Sequence, residues 1–208
     1  MSISEYPFMT EDHMDKLYNS RNPFVKFTHV NRLNSIAKRI PLKSESKILD
    51  AGCGEGHLIE RLYRMNSSAL YYGIDIRRQA VEKTRVRCPY AELEVMNLVD
   101  ISFDDELFDT VICTEVLEHL YEYQTVIKEL ERVLKKRGYL IVTFPNETLW
   151  TISRFLLGRK PIKVPDHINS FNPDRIKSLV RMKLISQVGL PFGLPFHISL
   201  GCLMKFEK

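Results

Sequence analysis

The feature that most constrains this chain is a hydrophobic strand that runs directly into a loop with glycine at every second position. The segment is Ile48-Leu49-Asp50-Ala51-Gly52-Cys53-Gly54-Glu55-Gly56. Glycine lets a backbone turn sharply and lets a ligand approach closely, because no Cβ stands in the way. The spacing differs from the GxGxxG of nicotinamide-binding folds, which excludes a dehydrogenase, and no Gly-Lys-Ser/Thr follows for a nucleoside triphosphate. With Asp50 beside it, the loop favours a ligand that carries an ammonium group over one that carries pyrophosphate.

A second acidic residue stands at the end of the next predicted strand. The run Tyr72-Gly73-Ile74-Asp75 places a carboxylate 19 residues after Gly56. At this separation from a glycine loop, a carboxylate can bind both ribose hydroxyls of a nucleoside. The loop and Asp75 together predict a site for a nucleoside that has an amino-acid tail.

Strand-like runs alternate with helical stretches, which is typical of a parallel sheet with helices on both faces. The predicted strands are Lys47–Ala51, Leu70–Ile76, Leu93–Asn97, Phe108–Thr114 and Gly138–Phe144, the last after a turn at 135–138. The predicted helices are Val30–Ile40, ended by Pro41, then Tyr123–Leu134, and one from the N-cap Asn172 and Pro173 to Val180. Residues 146–172 are expected to be irregular, and Lys183–Lys208 should form a closing hairpin.

Two motifs carry a resemblance to a known family. Leu49-Asp50-Ala51-Gly52-Cys53-Gly54-Glu55-Gly56 is similar to the glycine motif of class I S-adenosylmethionine (SAM) methyltransferases. Cys113-Thr114-Glu115-Val116-Leu117-Glu118-His119 resembles the fourth-strand motif of the branch that contains the ubiquinone-biosynthesis O-methyltransferases. The resemblance implies an α/β, Rossmann-like fold whose seven-stranded sheet is mostly parallel, with an antiparallel last strand.

The length of 208 residues predicts a single domain over residues 1–208, and the resemblance implies a set of contacts to SAM. Residues 1–46 would be a helical lead-in, 47–144 the SAM-binding core, and 145–208 an acceptor-side flap and closing hairpin. Gly52 and Gly54 would contact the amino-acid end of SAM, Arg32 its carboxylate, and Asp75 the ribose. The implied cofactor contacts are completed by Asp50, Cys53, Gly56, Ile76, Asn97, Leu98 and Thr114, of which Asn97 replaces the aspartate of many relatives.

The acceptor side is expected beyond the fourth strand, where the carboxyl ends of an open α/β sheet form the ligand crevice. Glu118, His119 and His167 are the candidate catalytic residues there, because a hydroxyl or amine acceptor must lose a proton. A quinone-like phenol or a lipid-linked acceptor fits the resemblance, which predicts O-methylation of a small molecule. RNA 2'-O-methylation and a non-catalytic SAM-binding regulatory module stay open, although no stretch combines basic and aromatic residues for RNA, so nucleic acid is disfavoured.

A divalent cation is a further open question on this side. Glu115, Glu118 and His119 would share one helical face if a helix began directly after the fourth strand. Such a set can hold Mg²⁺, Mn²⁺ or Zn²⁺, with His167 as a fourth ligand. The resemblance is to quinone and RNA O-methyltransferases that are thought to place a metal here, whereas other superfamily members use a similar sequence without one.

Composition and charge limit the partners. Four scattered cysteines without a CxxC pair predict buried thiols, and the stretch Met1–Thr10 has no secretory pattern, so we expect a cytoplasmic protein with no membrane span. Residues 135–208 hold 13 Lys and Arg against 4 Asp and Glu, so this third should face an anionic group. We predict a mobile flap at Leu149–Lys160, whose apolar residues flank Arg154, Arg159 and Lys160, and keep open a peripheral membrane contact there.

Overall fold

The fold is a seven-stranded sheet with the strand order β3-β2-β1-β4-β5-β7-β6, seen in a computed structural model that describes residues 13–158, 160 and 163–208. The strands are β1 (Lys47–Ala51), β2 (Leu70–Asp75), β3 (Glu92–Val95), β4 (Phe108–Thr114), β5 (Leu134–Pro145), β6 (Lys183–Leu190) and β7 (Gly201–Glu207). Strands β1 to β5 pair in parallel, whereas β7 is antiparallel to both β5 and β6. This is the Rossmann-like sheet with an antiparallel last strand that the sequence predicts.

Helices cover both faces of the sheet. They are α1 (His13–Tyr18), α2 (Pro23–Ala37), α3 (His57–Met65), α4 (Arg78–Arg87), α5 (Tyr123–Val133), α6 (Glu147–Leu156) and α7 (Pro173–Leu179), with short 3-10 turns at Leu117–His119 and Phe196–Ile198. No helix within the described residues is both long enough and apolar enough to cross a membrane.

Neighbouring strand residues divide between two hydrophobic cores, because successive side chains of a strand point to opposite faces. Leu49 belongs to the core under α5 and α7, and Ile48 to the core under α2, α3 and α4. On α5, the buried residues are Val126, Ile127, Leu130 and Val133, which is the helical spacing predicted from the sequence. All four cysteines are free and buried, as expected.

Several predicted boundaries are wrong. Helix α2 begins seven residues before the predicted start, because the Asn22 side chain accepts hydrogen bonds from the backbone N–H groups of Phe24 and Val25 and Pro23 suits the first turn. Residues 135–138 lie inside β5 and not in a turn, with a register shift opposite Phe108/Thr110. The helix from Asn172 and the closing hairpin are confirmed, with the Asn172 side chain accepting from the Arg175 N–H.

The segment predicted to be irregular contains α6. Asn146 caps this helix by accepting a hydrogen bond from the Leu149 N–H. Most of the predicted flap, Leu149–Lys160, therefore belongs to this ten-residue helix. Two expectations fall on residues outside the described part of the chain: the absence of a secretory pattern in Met1–Thr10 and the cation Arg159.

Candidate active site

The glycine loop joins β1 to α3, and all three of its glycines have left-handed backbone. Their φ angles are 85° at Gly52, 54° at Gly54 and 78° at Gly56. A Cβ on Gly52 would lie 2.5 Å from a methyl of Val116, and one on Gly56 would lie 2.6 Å from a methyl of Thr84. A Cβ on Gly54 would meet nothing closer than 3.8 Å. Gly52 and Gly56 therefore make room for the side chains of Val116 and Thr84, whereas a Cβ on Gly54 would make only ordinary van der Waals contact, with Arg77 and Met14.

Two carboxylates lie beside this loop at the carboxyl ends of β1 and β2. Asp75 accepts hydrogen bonds from the Gly54 N–H at 2.9 Å, from the Arg77 N–H at 2.9 Å and from the Arg77 Nε at 3.3 Å. Asp50 is buried next to it; burial, and secondly the charge of Asp75, raises the pKa of Asp50 to about 7. Burial also raises the pKa of the Cys53 thiol, so this thiol is held in its neutral form.

The other predicted cofactor residues follow the neighbouring strands. Ile76 comes directly after β2 and is 37% exposed. Asn97 and Leu98 come after β3, where Asn97 is exposed and Leu98 is buried. Thr114 ends β4, and its buried hydroxyl has no hydrogen-bond partner among the described residues. Because β1 to β4 are parallel, these positions meet at one edge of the sheet, together with the glycine loop.

Arg32 extends from α2 towards the same edge and is buried. Its Nη1 forms an ion pair with Glu115 Oε2 at 3.0 Å, and the guanidinium also hydrogen-bonds to the hydroxyl of Tyr18. Within the described chain, its Nε is buried without a partner. Glu115 has a φ of 52° and accepts a second hydrogen bond from the Thr143 hydroxyl at 2.9 Å. Sequence reasoning missed Tyr18, which no local pattern connects to this site.

Glu118, His119 and His167 come together on the acceptor side. One ligand atom of each lies within 4.8 Å of the others. Glu118 is 1% exposed, and neither of its carboxylate oxygens has a hydrogen-bond partner among the residues that the structure describes. Burial, and secondly the nearby charge of Glu115, raises the pKa of Glu118 well above its ordinary value. The site therefore holds a buried carboxylate with unused acceptor capacity beside two imidazoles.

Each of these imidazoles is held through its Nδ1. His119 Nδ1 lies 3.0 Å from the backbone oxygen of Asp166, and His167 Nδ1 lies 2.7 Å from Glu147 Oε1. The two rings meet edge to face with centroids 4.7 Å apart. Burial, and secondly His167, lowers the pKa of His119, so its neutral form is favoured. Glu147 was missed in the sequence because its helix α6 lies in a segment predicted to be irregular.

Glu115 lies apart from this group. The residues after β4 form a 3-10 turn at Leu117–His119, so no α-helix begins there and the condition for one shared helical face does not hold. The Glu115 oxygens face Arg32 and Thr143. The structure thus brings His167, in place of Glu115, next to Glu118 and His119.

A second cluster of polar side chains fixes α1 to the glycine loop. The Asp15 N–H donates to Glu55 Oε2 at 2.9 Å, and Asp15 Oδ1 lies 2.9 Å from His57 Nε2. Arg87 Nη2 is 2.7 Å from the same Asp15 oxygen, and Arg87 Nη1 is 3.2 Å from His57 Nδ1. Asp15, Glu55 and His57 are close enough together to be potential metal ligands, but the Arg87 guanidinium already supplies a positive charge among them. We therefore interpret this cluster as an ion-pair network.

Comparisons with known proteins agree with the fold. The methyltransferase domain family matches the chain over residues 42–172. A "Probable S-adenosylmethionine-dependent methyltransferase" of Mycobacterium tuberculosis is 31% identical over 133 residues, and the match spans 64% of this chain but only 46% of that protein. The ubiquinone biosynthesis O-methyltransferase of Pelagibacter ubique is 32% identical over 167 residues, which are 76% of this chain and 68% of that protein.

Solved structures extend the likeness to almost the whole chain. The crystal structure of a Pyrococcus horikoshii protein superposes with a TM-score of 0.75 at 20% identity, covering 96% of this chain and 99% of that one. At this identity the superposition supports the fold. The family match covers more than half of the chain and includes the glycine loop, Asp75 and the Glu118-His119 turn. The chain therefore belongs to the methyltransferase domain family.

Proposed function

We propose that SAM binds along the edge formed by the glycine loop, with its amino-acid end at Gly52, Gly54 and Arg32 and its ribose at Asp75. Two observations support this placement. The buried Arg32 Nε is a donor without a partner among the described residues, which suits a carboxylate, and a Cβ on Gly54 would meet nothing closer than 3.8 Å, so this glycine is the least crowded of the loop. Asp50 adds a negative group next to the position of the ammonium, and Asn97, Leu98 and Ile76 border the adenosine end.

Calorimetry on Asp75→Ala tests this placement. The variant loses a carboxylate that would bind two hydroxyls, which should weaken SAM binding by about 1.5 to 3 kcal/mol, or roughly tenfold to a hundredfold. Asp109→Ala is the matched control, because Asp109 pairs with Lys135 at the opposite edge of the sheet. Unchanged SAM affinity in the Asp75 variant would remove Asp75 from the cofactor site.

The acceptor that we propose is a small hydroxyl compound, such as a quinone-like phenol or a lipid-linked alcohol. The observation that carries the proposal is the buried Glu118, which lies beside His119 and His167 and whose two oxygens have no hydrogen-bond partner among the described residues. Methyl transfer from a sulfonium is an in-line displacement that requires the acceptor to be positioned and its proton to be removed. These three side chains can orient the hydroxyl, and an imidazole or the carboxylate can accept its proton.

The same three residues also fit a divalent cation. One carboxylate and two imidazoles are a donor set that Mn²⁺ or Zn²⁺ accepts, and a carboxylate with two free oxygens suits Mg²⁺ as well. A cation held by Glu118, His119 and His167 would supply Lewis acidity that lowers the pKa of the acceptor hydroxyl. Glu115 would lie outside this set, because it faces Arg32.

Transfer of labelled methyl from SAM to phenolic, isoprenoid and RNA acceptors tests this proposal. We expect labelling of the phenolic or lipid-like compounds and loss of activity in Glu118→Gln and His167→Gln, while calorimetry finds SAM bound as in the wild type. Treatment with EDTA should abolish transfer, and Mg²⁺, Mn²⁺ or Zn²⁺ should restore it. Full turnover in a metal-free preparation would remove the cation and leave these residues in proton transfer and positioning. Labelling of RNA alone would overturn the small-molecule acceptor.

Helix α6 supports a contact with a membrane surface or with an apolar acceptor. None of its residues is buried, and Phe155 and Leu156 are 65% and 76% exposed. Sedimentation with vesicles that contain phosphatidylglycerol should show binding at low salt that Phe155→Ser/Leu156→Ser removes. Val86→Ser is the control, because Val86 is 85% exposed on α4. If the wild-type protein does not sediment, the role of α6 is confined to capture of the acceptor.

A further inference from the structure

Glu147 is the residue on the acceptor side whose role the methyl-transfer chemistry above does not explain. It lies in the first turn of α6, and its side chain is 15% exposed. Oε1 lies 2.7 Å from Nδ1 of His167. Oε2 is buried and has no hydrogen-bond partner within the described residues. The hydrogen bond of this largely buried carboxylate is therefore made to the imidazole of a candidate catalytic residue.

The chemistry of the contact determines where the proton of the imidazole lies. An ionised carboxylate can only accept hydrogen bonds, so the nitrogen that faces it must carry a hydrogen. With the hydrogen on Nδ1 of His167, the neutral ring has a lone pair at Nε2. Because Nδ1 is held by Glu147, Nε2 is the nitrogen left for Glu118 and His119. His119 has the same arrangement, with its Nδ1 at the backbone oxygen of Asp166.

The backbone before Glu147 is firmly anchored. The Asn146 N–H donates to the backbone oxygen of Leu200 at 2.8 Å, and the Asn146 Nδ2 donates to that of Phe196 at 2.9 Å. Asn146 also caps α6 through its side-chain oxygen. Three hydrogen bonds therefore fix the residue that precedes Glu147, although the outer part of α6 is exposed. A rigidly placed outer carboxylate is the usual device by which proteins orient a histidine.

We infer that Glu147 is a positioning residue that holds His167 as the Nδ1–H tautomer, with the Nε2 lone pair directed towards Glu118 and His119. This inference rests on the proposed function of those three residues, whether they hold a cation or act as bases. An isosteric change tests it, because Glu147→Gln keeps the size and packing of the side chain. Its amide NH₂ can donate to Nδ1, which permits the opposite tautomer.

The direct measurement is the ¹⁵N NMR spectrum of the histidine rings in full-length protein at pH 8, with His167 assigned by the signals that His167→Gln removes. We expect Nδ1–H in the wild type and a shift to Nε2–H in Glu147→Gln, while the exposed control Glu94→Gln matches the wild type. A wild-type ring that is Nε2–H or doubly protonated overturns the inference.

Calorimetric titration with Mn²⁺ gives a second readout that separates this inference from the proposed cation. Loss of an outer-shell partner lowers metal affinity by about 10- to 100-fold, so Glu147→Gln should bind Mn²⁺ that much more weakly and SAM as tightly as before. Equal Mn²⁺ affinity in the variant and the wild type counts against Glu147. If the wild type binds no Mn²⁺, the cation proposal fails, and the tautomer alone decides the role of Glu147.

Discussion

The cofactor half and the acceptor half of the site differ in how their buried carboxylates are satisfied. On the cofactor side, Asp75 accepts hydrogen bonds from Gly54 and Arg77, and Glu115 faces Arg32 and Thr143. On the acceptor side, both oxygens of Glu118 and one oxygen of Glu147 lack partners among the described residues. On the cofactor side, the chain itself therefore provides partners for Asp75 and Glu115, and the buried polar atoms without a described partner there are Arg32 Nε and the Thr114 hydroxyl.

This difference indicates where a bound group must contribute. A buried polar atom without a hydrogen bond costs about 1 to 3 kcal/mol, so such atoms persist where function requires them. In the cofactor half, the carboxylates Asp75 and Glu115 are held by the chain before a ligand binds, and a ligand would add a partner for Arg32 Nε. The acceptor half depends on a group that the chain does not provide. Glu115 and Glu118 are only three residues apart, but Glu115 has partners, whereas Glu118 has none among the described residues. We therefore expect the same substitution to change the free energy of unfolding in opposite directions at the two positions.

The largest effect is expected from Glu115→Leu. It leaves the guanidinium of Arg32 buried without its carboxylate, and removal of one partner of a buried ion pair costs about 3 to 5 kcal/mol. Urea unfolding without ligand measures this loss in the free energy of unfolding, with Glu94→Leu on the exposed side of β3 as the control. Stability equal to that of the wild type would mean that Arg32 finds another partner and that the cofactor half is less complete than the contacts indicate.

The next effect distinguishes two glycines of the same loop. In Gly56→Ala, the left-handed backbone costs about 1 to 2 kcal/mol, and a Cβ 2.6 Å from the Thr84 methyl adds about 1 to 3 kcal/mol. Gly54→Ala should show only the backbone cost, because its Cβ would meet no atom closer than 3.8 Å, but it should weaken SAM binding more than Gly56→Ala does. Urea unfolding and calorimetry measure the two quantities separately.

The Thr84→Ser background provides the control. Serine keeps the hydroxyl that donates to the Gly54 oxygen at 2.8 Å and removes the methyl. Gly56→Ala should therefore cost less in Thr84→Ser than in the wild type, by the steric part alone. If the cost is the same in both backgrounds, Gly56 serves the backbone turn and not the packing of α4.

The same contrast explains what the sequence could predict. The loop, Asp75 and the strands around them follow from a contiguous motif and from local hydrophobic pattern, so the sheet order and the cofactor edge are largely predictable. The left-handed φ of 52° at Glu115 is not, because nothing in a non-glycine residue indicates it. With this backbone conformation, the side chain of Glu115 faces Arg32. The helix that was expected directly after β4 begins only at Tyr123.

The acceptor half depends on pairings between distant parts of the chain. Glu147 and His167 are 20 residues apart and are joined through a helix in a segment with no clear periodicity. Asn146 followed by Glu147 was a usable N-cap signal for that helix, with an acidic residue in the first turn. The contact of Tyr18 with Arg32 has no such local signal, since only tertiary packing brings α1 to the glycine loop.

A smaller effect of opposite sign is expected from Glu118→Leu. The substitution replaces a buried carboxylate that has no described partner by an apolar side chain of similar volume, which should stabilise the metal-free protein by about 1 to 3 kcal/mol. Activity should be lost. Urea unfolding in EDTA at one fixed pH measures the free energy of unfolding of Glu118→Leu and Glu115→Leu, so that the expected gain and the expected loss can be compared. Destabilisation in both variants would show that Glu118 is satisfied without a bound group and would erase the contrast between the halves.

The smallest effect concerns Asp50, a buried carboxylate of the cofactor half whose pKa is raised by burial. Its pKa of about 7 lies above the ordinary 3.8, so the folded protein without ligand holds a proton there and loses stability as the pH rises from about 4 to 7. A ligand with an ammonium group prefers the ionised form. If only that form binds, the ionised fraction rises from about a tenth at pH 6 to about nine tenths at pH 8, and SAM affinity rises roughly tenfold. Asp50→Asn should bind more weakly at pH 8 and lack this rise, which calorimetry at both pH values measures. Parallel pH profiles in the variant and the wild type would place the ammonium away from Asp50.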